Sequence, residues 1–172
     1  MSLIFPREWA DSIKAERVEA LRTFGFTERQ ARFLVTVLVH SGVFIARQYA
    51  AFAGIVHGQN TREFVAKLVT DGYATAIMPG ALHRGRLIHV QYKPLYEAIG
   101  EPNNRNRRPA SLGRFAERLM LLDAVLADRR HTWLGTERDK MTERDCPAAV
   151  PSRSWGPMQG GPRDPRAAEI AL

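Results

Sequence analysis

Cysteine is almost absent: Cys146 is the only one among 172 residues, which excludes a disulfide framework or a cysteine-based zinc finger built within one chain. Long apolar runs are lacking too. None approaches the ~20 residues of a membrane-spanning helix, so no membrane partner is expected. The first residues, MSLIFPREWADSIKAE, have neither a basic leader region nor a small-residue cleavage site, and cytoplasmic residence is the expectation. Catalytic signatures are missing as well. The five histidines (His40, His57, His83, His89, His131) form no HExxH or HxH pair, no GxSxG occurs, and no Gly-rich loop leads from a strand into a helix. Neither an enzyme, a metal centre nor a cofactor is therefore expected. The apolar fraction of 45% nevertheless excludes a wholly disordered chain.

What the chain does have is positive charge. Lys and Arg number 25 against 18 Asp and Glu, a net +7 with a pI near 10.2, which favours an anionic partner. The excess is uneven. Residues 57 to 108 hold eight Lys/Arg against four Asp/Glu and supply more than half of it, a distribution suited to nucleic acid.

Periodicity divides the chain. Trp9, Ile13, Val18 and Leu21 have helical spacing and stop before Gly25, which predicts a leading helix within residues 1–25. Thr27-Glu28-Arg29-Gln30 fits a capping box, and the helix it opens carries Phe33, Leu34, Val37 and Leu38 before Ser41-Gly42. Ile45 to Phe52 reads as a short helix, Gly54 to Gly58 as a turn, and Gln59 onward as a further helix through Thr61, Phe64, Val65 and Leu68 to Asp71-Gly72. Two short helices about a Gly-containing turn make a helix-turn-helix. After Gly72 the period changes: YATAIM and RLIHVQY flank PGALHRG, a β-hairpin with a basic tip. Ile88, Val90 and Tyr92 would face the helical core, with Leu87, His89 and Gln91 on the other face. His83 and His89 read as wing-surface histidines rather than metal ligands.

Residues 27–99, under half of the chain with its flanks excluded, resemble the winged helix-turn-helix superfamily of bacterial regulators and replication proteins. Leu68-Val69-Thr70-Asp71-Gly72-Tyr73 resembles its recognition-helix ending. Thr27-Glu28-Arg29-Gln30, with Val90 to Gly100 at the other end, is similar to replication-relaxation-type proteins of mobile elements, although Lys93-Pro94 departs from the Leu-Thr pairing usual there. The resemblance implies double-stranded DNA as partner and a role in transcription regulation or in replication or mobilisation. It also implies that the helix from Gln59 lies in the major groove. Gln59, Asn60, Arg62 and Glu63 would then approach base edges or phosphates, Lys67 more often a phosphate, and the hairpin tip with His83, Arg84 and Arg86 a phosphate or the minor groove. A protein-interaction module without DNA binding is the alternative, and any small-molecule effector is left open.

The expected fold class is mainly α with a small β-hairpin: a winged helix-turn-helix over residues 26–100, a C-terminal amphipathic helix and a disordered tail. Residues 101–110, around PNNRNRRP, are expected to be a mobile basic linker whose Arg105, Arg107 and Arg108 either touch the DNA backbone without sequence preference or form a solvated hinge. Residues 111–131 carry Leu112, Phe115, Leu119, Leu122 and Leu126 at alternating spacings of three and four, with Ser111 as N-cap. That seam suits either docking on its own domain or a homodimer that would match paired DNA half-sites. Residues 132–172 are expected to be largely disordered, above all the Pro/Gly-rich stretch from Cys146.

Overall fold

Residues 6–56, 58–77, 86–128 and 131–144 are described by the structure, a computed structural model. Among them lie seven α-helices and three short strands, a mainly helical architecture with one small antiparallel sheet. No described helix is long and apolar enough to cross a membrane.

The first helix, α1 (Pro6–Arg22), ends where Gly25 takes a left-handed φ of 79° and donates to the Arg22 carbonyl. The capping box forms as the sequence predicts. Thr27 Oγ1 accepts from the Gln30 amide at 3.3 Å, and Gln30 Oε1 accepts from the Thr27 amide at 3.0 Å, starting α2 (Glu28–His40). Ala31 and every residue from Phe33 to Val39 are buried. A helix buried around its circumference from Phe33 onward is a central helix, and α1, the next helix and a late helix of the chain pack around it. Gly42 closes α2 with φ 73°, and a Cβ there would lie 2.4 Å from the Asn106 backbone oxygen. Both its backbone and its surroundings demand glycine.

A strand unforeseen in the sequence follows, β1 (Val43–Ile45), before α3 (Ala46–Ala53). The Gln48 side chain fastens this junction. Its Oε1 accepts from the Ile45 amide, and its Nε2 donates to Leu119 O and Asp123 Oδ1. Gly54 then turns the chain into α4 (Gln59–Thr70), which buries Thr61, Phe64 and Leu68. Phe64 lies 4.2 Å from Tyr49 and also meets Phe26, Phe33 and Phe44, so aromatic packing fixes α3 and α4 on α2.

The sheet has the order β1-β3-β2, with β2 (Ala74–Ile77) and β3 (Leu87–Val90) antiparallel. Val43 stands opposite His89 and Ile45 opposite Leu87. Ile88 and Val90 face the helical core as expected, whereas Leu87 and His89 are buried too. His89 is therefore not a wing-surface residue. The sheet's second face is covered by α6 (Leu112–Ala127), whose Phe115 packs on Val43 and Leu87 and stands 5.2 Å from the His89 ring.

Between sheet and α6 the chain forms α5 (Lys93–Ala98), anchored by Tyr96, whose hydroxyl donates to Val90 O at 2.9 Å. Residues 101–110, expected to be a mobile linker, instead include an ordered 3-10 turn, Arg105–Arg107, with Asn106 buried. The five-residue seam of α6 is used within the chain. Phe115 and Leu122 are buried, Leu119 and Leu126 pack against the core clusters, and Leu112 stays 57% exposed. Four of the five are thus docked on their own domain, and Leu112 is the member of the seam that is not. Nor is the region from 132 uniformly irregular, since α7 (Glu137–Arg144) lies there. Its Asp139 accepts from Arg17 Nη2 at 2.8 Å and Nη1 at 3.3 Å, while Arg17 Nε donates to Ile99 O. Residues 145–172, including Cys146, lie outside the described residues.

Candidate nucleic-acid interface

The residues singled out on α4 follow from its apolar stripe. Burial of Thr61, Phe64 and Leu68 turns Gln59, Asn60, Arg62 and Glu63 outward, and all four are exposed. They are not equivalent. Gln59 Nε2 donates to Glu63 Oε1 at 2.8 Å, so this pair must open before either reaches another group. The Arg62 amide donates to the Gly58 carbonyl at 3.2 Å, but its guanidinium makes no hydrogen bond or ion pair with any described residue. Its five donors stand free for a planar acceptor.

Lys67 is engaged elsewhere. Its ammonium donates to the Gly25 carbonyl and stands 4.9 Å over the Phe26 ring, which ties α4 to the α1–α2 connection. A phosphate contact at Lys67 would have to compete with both. Arg86 is exposed immediately before β3. His83 and Arg84 lie outside the described residues.

A basic group missed in the sequence lies on α6. Arg114 and Arg118 lie one turn apart behind the Ser111 cap, and Arg118 reaches the 3-10 turn. Arg118 Nη1 donates to Asn106 O at 3.3 Å and Nη2 to Arg105 O at 3.4 Å. Burial, reinforced by the charges of Arg105 and Arg114 and opposed by Tyr96, lowers its pKa. The i,i+4 spacing of the two arginines was visible in the sequence, but the nearness of Arg118 to Arg105 was not.

His89 is the partner of that turn from the sheet. Its Nε2 lies 3.1 Å from Asn106 O, and because a carbonyl only accepts, the ring carries its proton on Nε2. Burial lowers its pKa, with the Asn106 bond opposing the shift.

A separate groove of about 900 Å³ runs between α1, α2, α3, α6 and residues 131–139. Its carboxylates are already engaged: Asp123 by Arg47, Asp139 by Arg17, and Asp128 by His131 and the Trp133 indole. His40 on its wall falls to about 4, chiefly through burial and against the attraction of Asp139, and is neutral at physiological pH. No cluster of three metal-ligating side chains occurs among the described residues.

Comparison with protein-family models, with curated proteins and with solved structures gave no match.

Proposed function

We propose that the chain is a cytoplasmic, double-stranded-DNA-binding protein of winged-helix type, acting as a regulator of transcription or as a replication or mobilisation accessory of a mobile element. The carrying observation is the succession α2, β1, α3, α4, β2, β3 with sheet order β1-β3-β2. That order is the one a helix-turn-helix backed by a hairpin would have, and the polar face of α4 turns outward. A B-DNA major groove about 12 Å wide admits such a helix. Arg62 would pair with guanine and Asn60 with adenine, while Arg84 and Arg86 hold phosphates at the hairpin. No catalytic step is assigned.

Titration of labelled duplexes at several salt concentrations tests the reading. Arg62→Ala should reduce the preference for an enriched site over random DNA by about tenfold, within the range of about 1–3 kcal/mol for one good base contact. Arg84→Ala should weaken all duplexes alike and flatten the salt slope by about 0.9. A folded protein with no affinity for DNA at low salt refutes the reading. It would favour a protein-interaction module, for which the outward side of α6, with Met120 72% and Leu121 37% exposed, is the relevant surface.

A further inference from the structure

Five arginines, Arg105, Arg107, Arg108, Arg114 and Arg118, fall between residues 105 and 118, and Glu117 is the only acid in that span. Arg114 and Glu117 approach to 3.4 Å with both side chains largely exposed, a pairing worth little in water. The neighbouring acid, Glu101, is turned toward Arg17 at 3.7 Å. Four of these guanidiniums feel one another or the same neighbours: Arg105 and Arg114 repel Arg118, and Arg107 and Arg118 both act on Tyr96. Arg107 Nε is buried without a hydrogen-bond partner. Like charges at this density repel, and solvated side chains on a flexible segment would simply separate.

Here the backbone forbids separation. Asn106 Nδ2 donates to Leu38 O and Val39 O, the unsatisfied carbonyls at the end of α2, at 3.1 and 3.0 Å. Its own carbonyl accepts from His89 and Arg118, and Gly42 packs against it without room for a side chain. The turn is held by α2, β3 and α6 at once, so Arg105 and Arg107 are fixed on either side of Asn106. Arg118 is further seated 5.8 Å over the Phe115 ring. With the backbone pinned, these guanidiniums stay close together with Glu117 as the one acid among them. Although Arg118 keeps two of its five donors on the turn's carbonyls, the group as a whole is a site for oxyanions.

We propose that Arg105, Arg107, Arg114 and Arg118 form a second phosphate-binding surface, distinct from α4 and the hairpin, that takes the backbone of DNA flanking the site held by α4. This inference rests on the DNA-binding reading above. It adds to it that the footprint is longer than one helix and hairpin can cover, and that the added contacts are independent of sequence.

The full chain is titrated with duplexes of about 12 and about 30 base pairs, at 3.4 Å of axis per base pair, over a range of salt. For the wild type the longer duplex should give a steeper slope of log K against log salt. Arg105→Ala/Arg114→Ala should remove roughly 2 from that slope on the long duplex only, about a tenfold loss across a fourfold change in salt, and leave the preference for the enriched site intact. Arg105→Lys/Arg114→Lys should retain the slope, and thermal melting verifies that both variants fold. Equal slopes for wild type and the alanine variant on the long duplex overturn the proposal while leaving the α4 reading in place. Competition by inorganic phosphate beyond its ionic-strength effect would also overturn it, showing a pocket for free phosphate instead. If the wild type binds neither duplex, both readings fall.

Discussion

Replacing Asn106 by alanine should destabilise the fold far more than an exposed-looking position in PNNRNRRP suggests. The side chain supplies both donors to the Leu38 and Val39 carbonyls, which lie at the buried C-terminal end of α2. Each carbonyl left without a partner loses a bond worth about 1 kcal/mol net and incurs about 1–3 kcal/mol if water cannot reach it. With partial rescue by water the sum is about 2–4 kcal/mol, or a fall of roughly 5–12 °C in Tm for a domain of this size. Asn106→Asp should be worse, because a carboxylate would face two carbonyl oxygens with no donor between them. Asn103→Ala, at an exposed neighbour, should stay within about 0.5 kcal/mol. Urea and thermal unfolding followed by circular dichroism measure all three. If Asn106→Ala unfolds with the wild type, the turn is not pinned as described, and the rigid placement of Arg105 and Arg107 loses its basis.

Acidification gives a second test. His40 titrates near 4 in the folded protein against 6.5 unfolded, so the unfolded state binds more protons between those values and stability falls as pH drops through that window. The loss reaches up to about 3 kcal/mol, with His89 adding in the same direction; urea melts from pH 7 to 4 should show His40→Gln flattening the curve, and superimposable curves would refute this. Gly42→Ala and Gly54→Ala both force alanine into a positive φ, 73° and 64°, but only the first also meets backbone, at 2.4 Å. Gly54→Ala should therefore lose about 1 kcal/mol and Gly42→Ala clearly more, and equal Tm values would contradict the close approach. Arg17→Met leaves Asp139 buried and unpaired, which should destabilise by about 3 kcal/mol and open residues 131–144 to proteolysis. The double variant Arg17→Met/Asp139→Leu should recover most of that loss; a double variant as unstable as the single one would show that charge burial is not the cause.

Local signals carried much of the architecture. The Thr27–Gln30 reciprocal bonds, the apolar continuity of α2 and the stripe of α4 all act within a few residues, and each produced the element its spacing predicts. The exposed set Gln59, Asn60, Arg62 and Glu63 was legible for the same reason. Features depending on distant partners were not. β1 is three residues long, too short for an alternation to register, and it exists because β3 lies beside it. Leu87 and His89 alternate as though one face of the hairpin were open, since nothing near them in sequence announces that Phe115 will cover it. Lys67 reads as a free cation because Gly25, its acceptor, precedes it by 42 residues. Arg17 and Asp139 are 122 apart, and α7 owes its place to that pair more than to its own weakly apolar sequence.

The charge excess is divided in space for the same physical reason. Summed along the sequence, the basic residues from 57 to 108 look like one surface centred on α4 and the hairpin. In space, Lys67 is spent on the Gly25 carbonyl and the Gln59–Glu63 pair places an acid on the outward face, so Arg62 is the single uncompensated cation that α4 presents among the described residues. The denser positive field lies where α6 meets the turn at Asn106, assembled from arginines that the sequence assigned to a mobile linker and to a helix read for its apolar seam. One side of α6 seals the sheet through Phe115, and that docking brings Arg118 beside Arg105, with Arg114 one turn before it on the same helix. Closing the second face of the sheet and bringing Arg118 onto the turn are therefore consequences of a single packing event.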